Sequence, residues 1–80
     1  MSKRLTDMRA NPRANWKIGD VEALCAEFSI ACKPPSGGGS HYKISHPSSR
    51  EILTIPSRRP IKLVYIRKLV SFVEAVKKVL

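Results

Sequence analysis

Apolar residues recur at two different spacings along the chain, and the change of spacing marks its elements. Val21, Leu24, Cys25 and Phe28 fall at i, i+3, i+4 and i+7, the stripe of an amphipathic helix. Asp20 stands before this stripe as the expected N-cap, Glu22 suits the positive end of the helix dipole, and the helix is expected to stop near Ser29. The spacing then changes. "SIACK" has the length of one short strand ahead of Pro34 and Pro35, and "SHYKISH" alternates. Its Tyr42 and Ile44 point to one face, while His41, Lys43 and Ser45 point to the other. His46 ends the strand on the Tyr42/Ile44 side, where its expected role is structural. "HPSSRE" supplies a turn and "EILTIP" a returning strand, so the pair predicts a β-hairpin. Pro56 and Pro60 bracket the loop "SRRP".

From about Leu63 onward the helical spacing returns. Arg67, Ser71, Glu74 and Lys78 form a polar strip, and Tyr65, Ile66, Leu69, Val70, Phe72, Val73, Val76 and Leu80 fill a wide apolar arc. That arc is broader than a small sheet needs, which leaves extra burial and a partner surface as equal alternatives. Residues 1–15 show no such period and are expected to form a loosely ordered basic arm with at most one helical turn. The elements predict an α+β fold, a small antiparallel sheet with helices packed on one face. A length of 80 residues allows one domain, taken as residues 16–80 behind the arm.

Charge changes this picture from a generic small fold to one with a preferred partner. Fifteen Lys and Arg stand against six acids, a formal charge of +9. Such a balance favours an anionic partner. The excess is uneven: residues 41–62 hold five basic side chains (Lys43, Arg50, Arg58, Arg59 and Lys62) and one acid, Glu51. The N-terminal residues lack the apolar run of a signal peptide, and Arg67 and Lys68 interrupt the longest apolar segment. Both features predict a cytoplasmic protein without a membrane span. Cys25 and Cys32 form no CxxC and are expected to be reduced thiols. The six acids show no paired spacing that suggests a carboxylate cage, so neither metal nor cofactor is expected.

The positive charge gathers beside "GGGSH", which makes this stretch the candidate site. Glycines at 37, 38 and 39 permit positive φ and let backbone N–H groups approach a phosphate. Ser40 adds a hydroxyl donor. His41, at the first position of a strand, is held by sheet pairing and shares a face with Lys43. An imidazole can take or give a proton near neutral pH, and Lys43, Arg58 and Arg59 can stabilise charge developing on phosphorus. RNA carries its own nucleophile, the 2′-OH, so one histidine with cationic clamps suffices for cleavage to a 2′,3′-cyclic phosphate and a 5′-OH. Against this, a Gly-rich run is by default a loop and a lone exposed histidine is by default solvated. Trp16 and Tyr65 are expected as core anchors rather than base-stacking platforms. The residues by themselves favour nucleic-acid contact over catalysis.

Three segments in order, "NPRANWKIGDVEALC", "GGGSHYKISHP" and "TIPSRRPIKLVYIRKLVSFVEAV", resemble the HicA-type toxins of bacterial HicA–HicB toxin–antitoxin modules. The resemblance runs from about residue 8 to 78 and is most specific at "GSH" and at "RPIK" leading into "YIRK". It implies a double-stranded-RNA-binding-domain-like fold of order α-β-β-β-α, with "SIACK" as the first strand. It also implies a metal-independent endoribonuclease that cleaves mRNA, with His41 as the essential histidine. Gly39, Ser40, Lys43, Arg58, Arg59 and Lys62 are then the RNA contacts, and a HicB-type antitoxin is the protein partner. Many relatives carry a second histidine before "RPIK"; here Arg58 occupies that place and can serve only as an electrostatic clamp. The alternative is a basic double-stranded-RNA or DNA binding module on the same fold, without catalysis. A basic amphipathic membrane helix at the C-terminus is disfavoured by the mixed polar strip.

Overall fold

The computed structural model describes residues 2–79. Six elements follow one another: α1 (Lys3–Ala10), α2 (Ile18–Glu27), β1 (Ala31–Lys33), β2 (His41–Ser45), β3 (Leu53–Pro56) and α3 (Leu63–Lys77). The strands form one antiparallel sheet in the order β1-β2-β3. The expected α-β-β-β-α order is therefore present as α2 through α3, and a further helix precedes it.

Alternation along β2 decides which face carries the core. Ile44 is buried and lies beside Cys32 of β1 and Leu53 of β3, while Tyr42 lies beside buried Ile55. Ile44 and Ile55 share one core with Val21, Leu24 and Cys25 of α2 and Ile66, Leu69 and Val73 of α3, and Cys32 and Leu53 pack against it. His41, Lys43 and Thr54 are exposed on the opposite face, which no helix covers. Pro56, which cannot donate to a ladder, sits at the end of edge strand β3.

The N-terminal segment departs from the expected loose arm. Residues 3–10 form helix α1, started by Ser2, whose Oγ accepts the Leu5 N–H at 3.1 Å. Leu5 and Met8 are only 2% and 0% exposed, because they cover the apolar arc of α3. Two ion pairs hold the helix from outside, Arg4 to Glu27 of α2 and Arg9 to Glu74 of α3, each at 2.7 Å. The breadth of the α3 arc is thus used in folding: Ile66, Leu69, Val70, Phe72, Val73 and Val76 are all buried. The expected place of Leu80 in that arc lies outside the described residues.

Of the two ends of α2, the start differs from expectation and the stop near Ser29 agrees with it. Helix α2 begins before Asp20, at Ile18, and Asp20 occupies the third helical position, where its Oδ2 accepts the Lys17 N–H at 2.9 Å. The acid therefore reaches back to the cap rather than being the cap. At the other end Ser29 takes a left-handed φ of 56°, and the Ile30 N–H returns to the Cys25 carbonyl at 2.9 Å. That is a Schellman closure with serine where glycine is usual. It turns the chain sharply enough for Ile30 to enter the core before β1.

Candidate functional site

A cleft of about 320 Å³ opens where the start of β2, the loop after β3 and the first turn of α3 meet. Ser40 and His41 form one wall, Pro56, Arg58 and Pro60 a second, and Lys62 with Tyr65 a third. No acidic side chain lines it. The elements that build it are tied together by backbone bonds. Ser57 donates to the Ser40 carbonyl at 2.7 Å, and Ile61 donates to the Trp16 carbonyl at 2.9 Å. His41 itself pairs with Pro56 across the sheet. The basic loop is thereby clamped at both ends while Arg58, Arg59 and Pro60 between them stay exposed.

The first turn of α3 adds to the field in the cleft. Lys62 is the N-cap residue, makes no side-chain capping bond, and no acid follows in the first turn. The positive end of a 15-residue helix is therefore left without a carboxylate, next to Lys62 and Arg58. Such an end favours an anion close by.

Of the residues singled out from sequence, Ser40, His41, Arg58 and Lys62 come together in this cleft. Lys43 does not line it. It lies two residues along β2 on the open sheet face, directly opposite Lys33 of β1 and Thr54 of β3. Like charges facing each other across a ladder are unfavourable unless an anion lies between them. Lys33 and Lys43 thus extend the positive surface away from His41, and Lys33 is a basic residue the sequence pattern did not single out. Arg59 is exposed but turned out of the cleft. Gly39 is also outside it, and of the three consecutive glycines only Gly37 and Gly38 have positive φ, at 65° and 84°. The turn therefore depends on Gly37 and Gly38, whereas a Cβ at Gly39 would meet Pro35 at 3.4 Å, an ordinary contact.

Tyr65 does what is expected of it and more. Expected as a core anchor, it is half-buried, packs against the core and also forms a wall of the cleft. Trp16 matches the expected anchor: it packs on the core, and its Nε1–H is bound to the Asn11 carbonyl at 2.9 Å. His46 is held in the turn, its Nδ1 accepting the Ser48 N–H at 3.1 Å and lying 2.7 Å from Ser48 Oγ. That agrees with a structural role.

A wider groove of about 780 Å³ lies between the hairpin turn and α3, lined in part by Ile52, Val64, Arg67 and Lys68. It contains no histidine or thiol, so the smaller cleft is the candidate site. Among the described residues no group of three or more His, Cys, Asp or Glu gathers as metal ligands, and no helix is long and apolar enough to cross a membrane. Both cysteines are free thiols. Cys25 is buried, which pushes its thiol up to about 12, with nearby Cys32 and Glu22 adding to the effect. Such a thiol is inert as a nucleophile. No protein-family model, curated protein sequence or solved structure matches the chain.

Proposed function

We propose that the chain is a HicA-type ribonuclease toxin that cleaves mRNA without a metal ion. The observation that carries this reading is the meeting of His41 with Ser40, Arg58 and Lys62 in one cleft free of acids. The scissile phosphate lies against Arg58, Lys62 and the uncapped end of α3. His41 takes the proton of the 2′-OH, and the 2′-oxygen then attacks phosphorus in line. The P–O5′ bond breaks, leaving a 2′,3′-cyclic phosphate, and the departing 5′-oxygen is protonated by the imidazolium or by water. Arg58 and Lys62 stabilise the charge that builds on the phosphorane. Lys43 and Lys33 guide the flanking strand over the open sheet face, and Arg59 contributes to the general positive field.

In this reading the protein partner is a HicB-type antitoxin, a small acidic chain that covers His41 and the basic loop. The resemblance in "GSH" and "RPIK" supports the assignment, and the α+β fold is compatible with it. The deciding experiment incubates purified protein with end-labelled RNA, with and without EDTA, and maps the product ends. Cleavage that survives EDTA and leaves cyclic phosphate supports the mechanism. RNA that is bound with a steep salt dependence but stays intact points instead to a non-catalytic binding module on the same scaffold.

A further inference from the structure

We infer that the cleft beside His41 is a slot for one unpaired nucleotide, with its base stacked on Tyr65, so that the substrate is single-stranded RNA rather than duplex. The inference rests on the ribonuclease reading and adds to it the form of the substrate.

Three features of the cleft lead there. Its walls divide by chemistry: Pro56, Pro60 and Tyr65 offer flat or compact apolar surfaces, while Arg58 and Lys62 offer positive charge. A nucleotide divides the same way, into an apolar base face and an anionic phosphate. Tyr65 is also held before any ligand arrives, because it is half-buried and packs against the core. A fixed ring stacks at little entropic cost, and base stacking on an aromatic side chain tolerates any sequence. Finally, the volume, about 320 Å³, suits one nucleotide and not a base pair with its stacked neighbours. In a duplex the base faces are already covered by one another, and a side chain reaches only edges and backbone. A slot with a phenol ring as one wall therefore selects against duplex even though the surrounding surface is positive.

The test measures binding by fluorescence anisotropy with a labelled 2′-fluoro oligoribonucleotide, which lacks the nucleophile and stays intact. It is offered as a single strand and annealed to its complement. The wild-type protein is expected to bind the single strand more tightly. Tyr65→Leu should lower single-strand affinity roughly 5- to 150-fold, the range for losing one stack, while Tyr65→Phe retains it. The salt dependence should stay the same in Tyr65→Leu, since a stack releases no counterions, but flatten in Lys62→Ala. Melting curves for both Tyr65 variants separate loss of the stack from loss of the fold. If Tyr65→Leu is folded and binds the single strand as well as wild type, or if duplex binds at least as tightly as the single strand, the slot is wrong. Cleavage of ordinary RNA at the wild-type rate by Tyr65→Leu would likewise discard the slot while leaving the ribonuclease reading in place. Failure of wild type to bind either form overturns both.

Discussion

Ser57 donates its backbone N–H to the carbonyl of Ser40 at 2.7 Å, one step beyond the last paired residues of the hairpin, His41 and Pro56. This bond brings the basic loop alongside the residue that precedes His41. Without it the loop would leave the sheet at Pro56, and Arg58 would have no fixed relation to the imidazole. The hairpin thus sets a relation between the His41 imidazole and the Arg58 guanidinium that neither local segment specifies.

The first prediction concerns His41. Its side chain is exposed and supports no part of the core, so His41→Ala should leave the melting curve unchanged. Removing a general acid–base group should lower RNA cleavage about 10²–10⁴-fold. Single-turnover rates on purified protein, together with growth after induction, measure this. An alanine variant that still degrades mRNA and still arrests growth would remove His41 from the mechanism.

Helix α1 gives the second. Leu5 is almost fully buried against α3, so Leu5→Ala should cost roughly 2–5 kcal/mol, a large part of the stability of so small a domain. Arg4→Ala should cost far less, because its pair with Glu27 is at the surface and is screened by salt. Urea titrations of both variants at low and high salt test the contrast. Equal and small effects would mean that α1 is dispensable.

The sequence discloses the sheet and hides the helix for the same physical reason. In β2 exposed His41 and Lys43 alternate with half-buried Tyr42 and buried Ile44, and Ile44 meets the core. In α1 only Leu5 and Met8 are buried, too few to establish a period against Lys3, Arg4, Thr6, Asp7 and Arg9. Its stabilising contacts are with α2 and α3, up to 65 residues away, so they leave no local pattern. The site divides likewise. His41 is legible because strand alternation fixes its face, Ser40 because it directly precedes that strand, and Lys62 because the loop must lead into α3. That Arg58 rather than Arg59 faces the cleft depends on how the loop folds back. So does the presence of Tyr65 there, since helical spacing marks a residue as apolar-facing without showing where the core surface ends.

A third prediction comes from the end of α2. Ser29 holds a φ of 56°, a conformation that costs a residue with a Cβ roughly 1 kcal/mol or more relative to glycine. Its side chain is exposed and makes no contact that the fold requires. Ser29→Gly should therefore raise stability by about 0.5–1 kcal/mol, less the extra freedom glycine gives the unfolded chain. Denaturant midpoints of wild type, Ser29→Gly and Ser29→Ala resolve this, with alanine at or below wild type. A glycine variant that is less stable would show that the turn is not strained.

Cys25 makes the stability sensitive to alkali. Burial raises its folded pKa from 9.0 to about 12, whereas in the unfolded chain the thiol ionises near its ordinary value. The unfolded state therefore loses its proton first. Stability is fully present below the unfolded pKa and is lost as pH rises from about 9 toward the folded value. Denaturant midpoints measured across this range should fall in the wild type. The fall should be shallower in Cys25→Ala, which starts lower because it leaves a small cavity but keeps only the less buried Cys32 thiol, itself raised by burial, to ionise. Thiol labelling gives an independent reading: half-buried Cys32 should react with an alkylating reagent well before Cys25, and Cys25 only as fast as the domain opens. Parallel alkaline profiles for the two proteins would show that the decline arises elsewhere.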